Sequence, residues 1–473
     1  MSERGRIHSS TRRKVRTALS VAWLALLATA CSHFEGIVPR SIRIPMISRG
    51  ESAVIHVTKL DNGLTVLIRE SHANPIVTMD VWVNAGSMNE PPELGGVSHF
   101  LEHMMFKGTK KRPVGTVDLA IEGVGGETNA GTSKDFTHYY VTIASEYVTT
   151  GLDVLSDVIV NSTLDSQELE RERQVILEEY RRKQDSPMGL LYDLVCDTAY
   201  RTGPYKQSVL GTSETITNIT RTRMMDYYQR YYTPDNMVLV VVGDVKTDSI
   251  LPEIKRYFGR DRRTARPFDH PDIETRWGGP TSRMIEKDVR DTYTFLAFPA
   301  PSIARPRDTV IMDVLLNILG EGRSSRLYQT LREKKKLVSS VGASYGTPKK
   351  PGLFLIVATL EAKNLEAMRE AALEEIQRIC NQRVGRRELA KAKKMCTNDY
   401  YFATETTNGQ SEMLGLYYTL SGSEKYERNY AREIARVTAD DIRRVAREHL
   451  DPAKMAMVTL RPKGGGEKAG GGK

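Results

Sequence analysis

The sequence predicts an α+β protein built from two copies of one fold. Patterns of strands and helices follow each other in both halves of the 473-residue chain, and this mixed order is typical of α+β architecture. A polar segment with three prolines and a glycine pair, residues 260–280, separates the halves and has the composition of an interdomain linker. The strand and amphipathic helix of 137–160 recur in the same order at 352–376, which indicates an internal repeat.

The first half contains a predicted hairpin, three further strands and four helices. Alternating apolar residues flank Asn62-Gly63, a dipeptide typical of hairpin turns. The run at 237–245 is almost continuously apolar, which indicates a strand buried on both faces. The predicted strands span 57–70 (the hairpin), 76–87, 137–145 and 237–245, and the predicted helices span 96–107, 113–124, 148–162 and 165–186.

The second half shows similar patterns. They predict a helix over 308–333, strands at 340–347 and 352–360, and a helix over 362–380. We therefore expect a first domain at 53–259, a linker at 260–283 and a homologous second domain at 284–462. The Gly/Lys-rich tail at 463–473 is expected to be disordered.

Composition and charge exclude several classes of protein. With 40% hydrophobic and 27% charged residues the chain is globular, not a disordered or polytopic membrane protein. Four cysteines in this length do not make a disulfide scaffold. The net charge of +9 includes a surplus of five in residues 1–30, which leaves +4 for the rest, so nothing indicates a nucleic-acid partner.

The first 31 residues have the pattern of a signal peptide. A basic stretch at 11–16 precedes an apolar run at 18–30 that is too short to span a bilayer comfortably. Small residues before Cys31 resemble a lipobox, in which that cysteine is lipidated, and Ser32 resembles the outer-membrane sorting preference. We expect export to the periplasm or cell envelope as an outer-membrane lipoprotein. Cleavage without lipidation, an uncleaved anchor and twin-arginine export through Arg12-Arg13 remain alternatives.

The segment GGVSHFLEHMMFKGT, residues 95–109, carries the most informative motif. On a helix, His99, Glu102 and His103 lie at i, i+3 and i+4 and therefore share one face. Two imidazoles one turn apart can bind one zinc ion, and the glutamate beside them can act on a water in an open coordination position. This HxxEH order is the inverted form of the zincin motif. Two surface histidines would be the alternative, but they would leave Glu102 without a role.

A third ligand is offered by a later charged helix. Residues 167–183 place Glu172 and Glu179 two turns apart on one face, whereas its other acidic residues are expected to be solvated. Two neutral imidazoles and one carboxylate leave a zinc site with a net charge of +1, which keeps it Lewis acidic. The sequence therefore predicts one Zn²⁺ per chain.

These motifs resemble those of the pitrilysin/insulinase family of zinc metallopeptidases. HFLEH is followed, 76 residues after His103, by Glu179 in the run ERERQVILEE. The chain is most similar to short bacterial members and to the mitochondrial processing peptidase β subunit, and the resemblance covers residues 53–462. It includes the segments at 125–139 and 320–337. It implies two homologous α/β-sandwich domains that form half of a clamshell.

The resemblance also implies a role for each site residue. His99, His103 and Glu179 would be the zinc ligands, and Glu102 the general base that deprotonates the attacking water. Glu172 would orient a ligand histidine. The implied substrate-binding edge, to which a peptide adds as a strand, contains Asn129 and Ala130; a plain turn residue is the alternative for Asn129. His138 is expected to be a core or surface residue.

One position departs from the family pattern. Family enzymes carry an Arg and, seven residues later, a Tyr that contact substrate and stabilise the oxyanion; Arg332 fits the first, but Ser339 occupies the second. There are three explanations: Tyr345 substitutes for the missing Tyr, a partner supplies the Arg/Tyr pair, or the activity is low. We expect the partner, in a homodimer or a heterodimer with a family subunit.

The function expected from the sequence is hydrolysis of peptide bonds in short or unfolded polypeptides by a zinc endopeptidase. The alternative is a non-catalytic or partner-dependent subunit, for which Ser339 is the supporting feature. A structural zinc site is disfavoured, because only three ligands are present and Glu102 lies beside the open position.

Overall fold

The computed structural model describes residues 54–268, 274–275 and 280–463. The predicted signal peptide with Cys31, and the predicted tail except for Lys463, lie outside the described residues. Among the helices that are described, none has the length and apolar character needed to cross a membrane.

The first half is a sheet with helices. Its strands are β1 (Ile55–Lys59), β2 (Thr65–Glu70), β3 (Ile76–Val83), β4 (Glu127–Thr132), β5 (Thr137–Ala144), β6 (Tyr200–Thr202) and β7 (Met237–Gly243). Its helices are α1 (Val97–Met105), α2 (Thr116–Glu122), α3 (Val148–Asn161), α4 (Ser166–Asp185), α5 (Pro187–Ala199), α6 (Ser213–Asn218), α7 (Arg221–Tyr231) and α8 (Thr247–Phe258). Each strand and helix predicted in this half is present, with its ends shifted by a few residues.

The second half has the same character. Its strands are β8 (Glu274–Thr275), β9 (Thr281–Lys287), β10 (Thr292–Ala300), β11 (Ser340–Ser344), β12 (Gly352–Leu360) and β13 (Ala456–Pro462). Its helices are α9 (Pro306–Leu319), a π-helix (Tyr328–Lys334), α10 (Leu365–Asn381), α11 (Arg386–Ala403), α12 (Thr407–Ser421), α13 (Lys425–Arg436) and α14 (Ala439–His449). β9 begins inside the segment predicted as linker, three residues before the predicted start of the second domain.

The two main sheets share one topology over five strands, and β1 adds a sixth strand to the first, which confirms the predicted doubled α+β fold. The first has the order β4-β5-β3-β7-β2-β1 and the second has the order β11-β12-β10-β13-β9. In each sheet one pair is parallel, β2 with β7 and β9 with β13, and the other pairs are antiparallel. Among the described residues both sheets are open, with unpaired edge strands, as expected for half of a clamshell.

Each half of the chain contributes a helix that packs on the sheet of the other half. Leu191 and Val195 of α5, which follows the first half's long helix α4, pack on Phe295 and Val458 of the second sheet. In return, Leu414 of α12 packs on the outer face of the first sheet. Each sheet is therefore covered on one face by a helix from the other half of the sequence, so neither half has a complete core by itself.

The prediction of a single helix over 308–333 is wrong. The structure ends α9 at Leu319 and resumes helical winding only at Arg326, directly before the π-helix. Gly320 lies against β11, where a Cβ atom would stand 2.5 Å from the backbone nitrogen of Ala343, and Gly322 has φ +72°. Close approach and a left-handed backbone break the helix here.

Candidate metal centre

Helix α1 is fixed at its start and packed into the core. The Glu90 carboxylate accepts hydrogen bonds from the backbone N–H groups of Gly96 and Ser98, both at 2.7 Å. A carboxylate at a helix N-terminus interacts favourably with the helix dipole. Burial raises the pKa of Glu90 to about 7, against these hydrogen bonds. Buried α1 side chains anchor the helix: Val97, Phe100, Leu101, Met104 and Met105.

Three candidate ligands converge between α1 and α4. His99 Nε2 lies 3.6 Å from Glu179 Oε2, and His103 Nε2 lies 3.7 Å from the same oxygen. The two imidazole ring centres are 4.8 Å apart. These separations are too long for hydrogen bonds. Ligands at about 2.0–2.1 Å from one tetrahedral ion lie roughly 3.4 Å apart, so the residues fit a zinc ion.

The electrostatics of the two histidines differ. Burial, and then the charges of His103 and Lys183, hold the pKa of His99 well below its usual range, so its imidazole is in the neutral, ligating form. Burial also lowers the pKa of His103, but the Glu172 hydrogen bond and the nearby carboxylates outweigh it and raise that pKa. Burial raises the pKa of Glu179.

Glu102 is buried beside these residues and is held by a side chain from the sheet edge. The Thr132 hydroxyl, at the end of β4, donates a hydrogen bond to Glu102 Oε2. Burial raises the pKa of Glu102, and this hydrogen bond opposes the rise. Thr132 was not singled out in the sequence, because the contact joins residues 30 positions apart.

Glu172 lies on the far side of the His103 ring from Glu179. His103 Nδ1 is 3.1 Å from Glu172 Oε2, and Lys107 Nζ is 2.8 Å from Glu172 Oε1. Burial tends to raise the pKa of Glu172, but its bonds to His103 and Lys107 lower it overall. Lys107 was also missed in the sequence, although it lies four residues after His103, where a helix face would continue.

The predicted substrate-binding residues lie on an edge strand. Asn129 and Ala130 belong to β4, which pairs with β5 on one side only. The Ala130 N–H donates to Asn129 Oδ1 at 2.9 Å rather than to β5. That donor therefore faces the free edge of the sheet, and Asn129 is a strand residue rather than a turn residue.

The second-half residues of the predicted site lie elsewhere. Arg332 is exposed on the π-helix and donates from Nη1 to the Tyr328 hydroxyl at 2.6 Å. Ser339 donates its hydroxyl to the Thr359 carbonyl at 3.0 Å. Tyr345 is buried and donates to the Pro301 carbonyl at 2.9 Å, so its hydroxyl is already engaged in the second core. Within the described chain, these three residues form no hydrogen bond or ion pair with His99, His103 or Glu179.

His138, expected to be a core or surface residue, is a half-buried side chain on β5. Its Nδ1 lies 3.2 Å from the buried Asp80 carboxylate, and its ring stacks on Trp82.

A second group of potential ligands, Asp308, Glu448 and His449, lies between α9 and α14. Arg305 forms ion pairs with both carboxylates, and Arg444 forms one with Asp308. The carboxylate oxygens are thus occupied by guanidinium groups, and a metal ion would have to displace two positive charges.

Comparison with protein families gives two adjacent matches. A model described as Insulinase (Peptidase family M16) matches residues 65–213, and one described as Peptidase M16 inactive domain matches residues 218–396. Together they span well over half of the chain.

Similar proteins carry related names. An uncharacterized zinc protease of Bacillus subtilis is 29% identical over 405 residues, which cover 85% of this chain and 97% of that protein. An uncharacterized zinc protease of Rickettsia felis is 31% identical over 387 residues, covering 82% and 93%. The Arabidopsis thaliana protein named "Probable mitochondrial-processing peptidase subunit beta, mitochondrial" is 29% identical over 419 residues, covering 86% and 78%.

A solved structure agrees with these matches. The crystal structure of a protease from Helicobacter pylori superposes with a TM-score of 0.82 at 26% identity, covering 87% of this chain and 100% of that one. The family models and the Rickettsia relative are sufficient to assign the family. The chain belongs to the insulinase family of peptidases, peptidase family M16.

Proposed function

We propose that this chain is a zinc-dependent endopeptidase that hydrolyses peptide bonds in short or unfolded polypeptides. The observation that carries the proposal is the convergence of His99 Nε2 and His103 Nε2 on Glu179 Oε2 at 3.6 and 3.7 Å, with Glu102 on the same helix. The names of the relatives, which are zinc proteases, support zinc as the metal.

Each residue of this site has a separate role in hydrolysis. His99, His103 and Glu179 would hold one zinc ion, which when bound supplies a Lewis acid and lowers the pKa of a water. Glu102 accepts the proton of the attacking water on its carboxylate and passes it to the leaving amine nitrogen. Because Thr132 holds Oε2, Glu102 Oε1 is the oxygen available for that proton. Burial raises the pKa of Glu102, which strengthens it as a base.

The unpaired edge of β4 is suited to binding peptide substrates in an extended conformation. A peptide that adds as a strand beside β4 forms main-chain hydrogen bonds, which place little demand on its sequence. The Ala130 N–H is a donor at this edge once Asn129 Oδ1 releases it. Only a segment that is already extended or unfolded can pair in this way, so folded proteins are poor substrates.

A partner subunit would complete the site by supplying an Arg/Tyr pair. Ser339 is too short for the role, Tyr345 is engaged with Pro301, and Arg332 is engaged with Tyr328. One absent oxyanion donor costs roughly 10²–10³ in rate. The Arabidopsis relative is itself named as a subunit, which supports pairing with a second chain.

The competing function is a non-catalytic subunit, favoured by the same Ser339. The test is hydrolysis of a quenched unstructured peptide by the zinc-loaded chain, beside Glu102→Gln, with zinc content measured for both. Cleavage that Glu102→Gln removes while zinc stays bound supports the endopeptidase. Bound zinc without cleavage, alone and with a family subunit added, would contradict it and favour the non-catalytic role.

We also propose that the mature chain is exported and lipidated on Cys31, on the strength of the basic and apolar stretches before it. Metabolic labelling with a fatty acid is expected to mark the wild type and not Cys31→Ser. A wild-type chain without label would contradict lipidation.

A further inference from the structure

Lys107 belongs to a line of polar side chains that ends at the candidate metal ligands. Its ammonium is 2.8 Å from Glu172 Oε1, and Glu172 Oε2 is 3.1 Å from His103 Nδ1. The opposite ring nitrogen, His103 Nε2, faces Glu179 Oε2 at 3.7 Å. One ammonium is therefore connected, through one carboxylate and one imidazole, to the place where a metal would bind.

One of the two oxygens of the Glu172 carboxylate, Oε1, is held by Lys107. The Glu172 side chain is only 11% exposed, so water replaces a lost partner poorly. Among the described residues, Oε1 has the Lys107 ammonium as its one hydrogen-bonding or ionic partner. Without that ammonium the carboxylate would turn Oε1 toward solvent, and this rotation would move Oε2 away from His103.

The carboxylate in turn selects the tautomer of His103. A carboxylate that accepts from Nδ1–H leaves the lone pair on Nε2, which is the nitrogen that faces Glu179. His99 has no such partner, because its Nδ1 is buried without a hydrogen bond in the described chain. His103 is thus the histidine oriented by hydrogen bonding, whereas His99 is oriented by packing in the core.

We propose that Lys107 is a positioning residue for the metal site: its ammonium holds Glu172 in the orientation that fixes the His103 ring and tautomer for zinc. The proposal rests on the function proposed above. It assigns Lys107 an effect on zinc affinity rather than a contact with substrate. Any side chain with a cationic donor of similar reach satisfies the geometry, so arginine should replace lysine and methionine should not.

The test is the zinc dissociation constant of the full chain, measured by competition with a chromogenic chelator. Lys107→Met is expected to weaken zinc binding about tenfold, within the roughly 10–100-fold range for partners of metal-ligating histidines. Lys107→Arg is expected to restore most of the affinity. Lys110→Met is the matched control, since Lys110 is exposed, lies three residues away and is expected to leave the affinity unchanged.

A double-mutant cycle tests whether Lys107 acts through Glu172. Glu172→Gln is expected to weaken zinc binding, and Lys107→Met added to it should cause no further loss, because the intermediary is already absent. Thermal unfolding of the zinc-free variants checks folding. If Lys107→Met does not fold, Lys107→Gln takes its place, with a smaller loss expected because a neutral donor remains.

The outcomes separate this inference from the proposed function. A wild-type chain that binds zinc and cleaves peptide, with Lys107→Met equal to it in affinity, would overturn the inference alone. Additive losses in the double mutant would overturn it as well. A wild-type chain that binds no zinc would overturn the proposed function and the inference together.

Discussion

Two groups of histidine and carboxylate side chains converge in the described chain, one in each half. His99, His103 and Glu179 meet between α1 and α4, and Asp308, Glu448 and His449 meet between α9 and α14. In the first group His99 Nε2 and His103 Nε2 lie 3.6 and 3.7 Å from Glu179 Oε2, and no Lys or Arg among the described residues forms an ion pair with that carboxylate. In the second group Arg305 and Arg444 already pair with the carboxylates.

Proximity of histidine and carboxylate side chains does not by itself make a metal site. In both groups the ligand atoms lie within 4.8 Å of one another, but only in the second, among the described residues, do guanidinium groups form ion pairs with the carboxylates. The helices have equivalent places in the repeat, since α1 follows β3 and α9 follows the matching strand β10. On α9, the side chains of Asp313 and Asn317 form hydrogen bonds with Tyr430 and Cys396. The same fold thus brings candidate metal ligands together in one half and packs polar side chains into the core of the other.

Removing one carboxylate from each group should abolish zinc binding in the first case and leave it unchanged in the second. Glu179→Ala is expected to abolish zinc binding and peptide hydrolysis, because two imidazoles alone bind zinc weakly. Glu448→Ala is the matched change in the second group and should leave zinc content and hydrolysis unchanged. Zinc content by elemental analysis, with hydrolysis of a quenched peptide, measures both. Loss of zinc in Glu448→Ala would reverse the comparison.

The two halves should also be linked by a buried ion pair. Arg69 of β2 contacts Glu427 of α13 at 2.7 Å, and the Glu427 side chain is 1% exposed. Arg69→Met leaves that carboxylate buried without its cation and is expected to lower the free energy of unfolding by about 3–5 kcal/mol. Urea unfolding measures this. The double variant Arg69→Met/Glu427→Leu should recover part of the loss; equal stability of wild type and Arg69→Met would argue against the link.

The buried carboxyl group of Asp313, in the core of the second half, should make the free energy of unfolding depend on pH. Burial raises the pKa of Asp313 to about 7, despite the Tyr430 hydrogen bond, whereas an unfolded aspartate titrates near 3.8. Between these values the native state binds more protons than the unfolded state. The contribution of Asp313 to the free energy of unfolding therefore falls as pH rises from about 4 to about 7, by a few kcal/mol at most.

Asp313→Asn should remove that slope and leave peptide hydrolysis intact. Urea unfolding of the zinc-free wild type and variant across this pH range isolates the effect, because other groups titrate in both proteins. Parallel curves for the two proteins would mean that Asp313 is ionised in the native state.

The smallest expected effect concerns the hydrogen bond on Glu102. Thr132→Val keeps the shape of the side chain and removes the hydroxyl that orients the carboxylate. We expect kcat to fall about tenfold, the value of one hydrogen bond of roughly 1–1.5 kcal/mol, with zinc content unchanged. Thr128→Val, on the same strand, is the control. A change in zinc content instead of kcat would assign Thr132 to the ligand set.

Local periodicity explains which parts of the site are predictable from sequence. His99, Glu102 and His103 share one helix face by spacing alone, and the geometry agrees with that spacing. Thr132 and Lys107 were missed because their contacts depend on how β4 and α4 pack against α1. The exchange of α5 and α12 between sheets was missed for the same reason, since nothing in their sequences states which sheet they cover. The break at Gly320 depends on β11, which lies next to it in space.

The most direct test of the metal centre is anomalous diffraction at the zinc edge from crystals of the zinc-loaded chain. We predict a single zinc peak within bonding distance of His99 Nε2, His103 Nε2 and Glu179, and no peak beside Asp308, Glu448 and His449. A peak at the second group, or none at the first, would contradict the assignment of the metal to the first half of this chain.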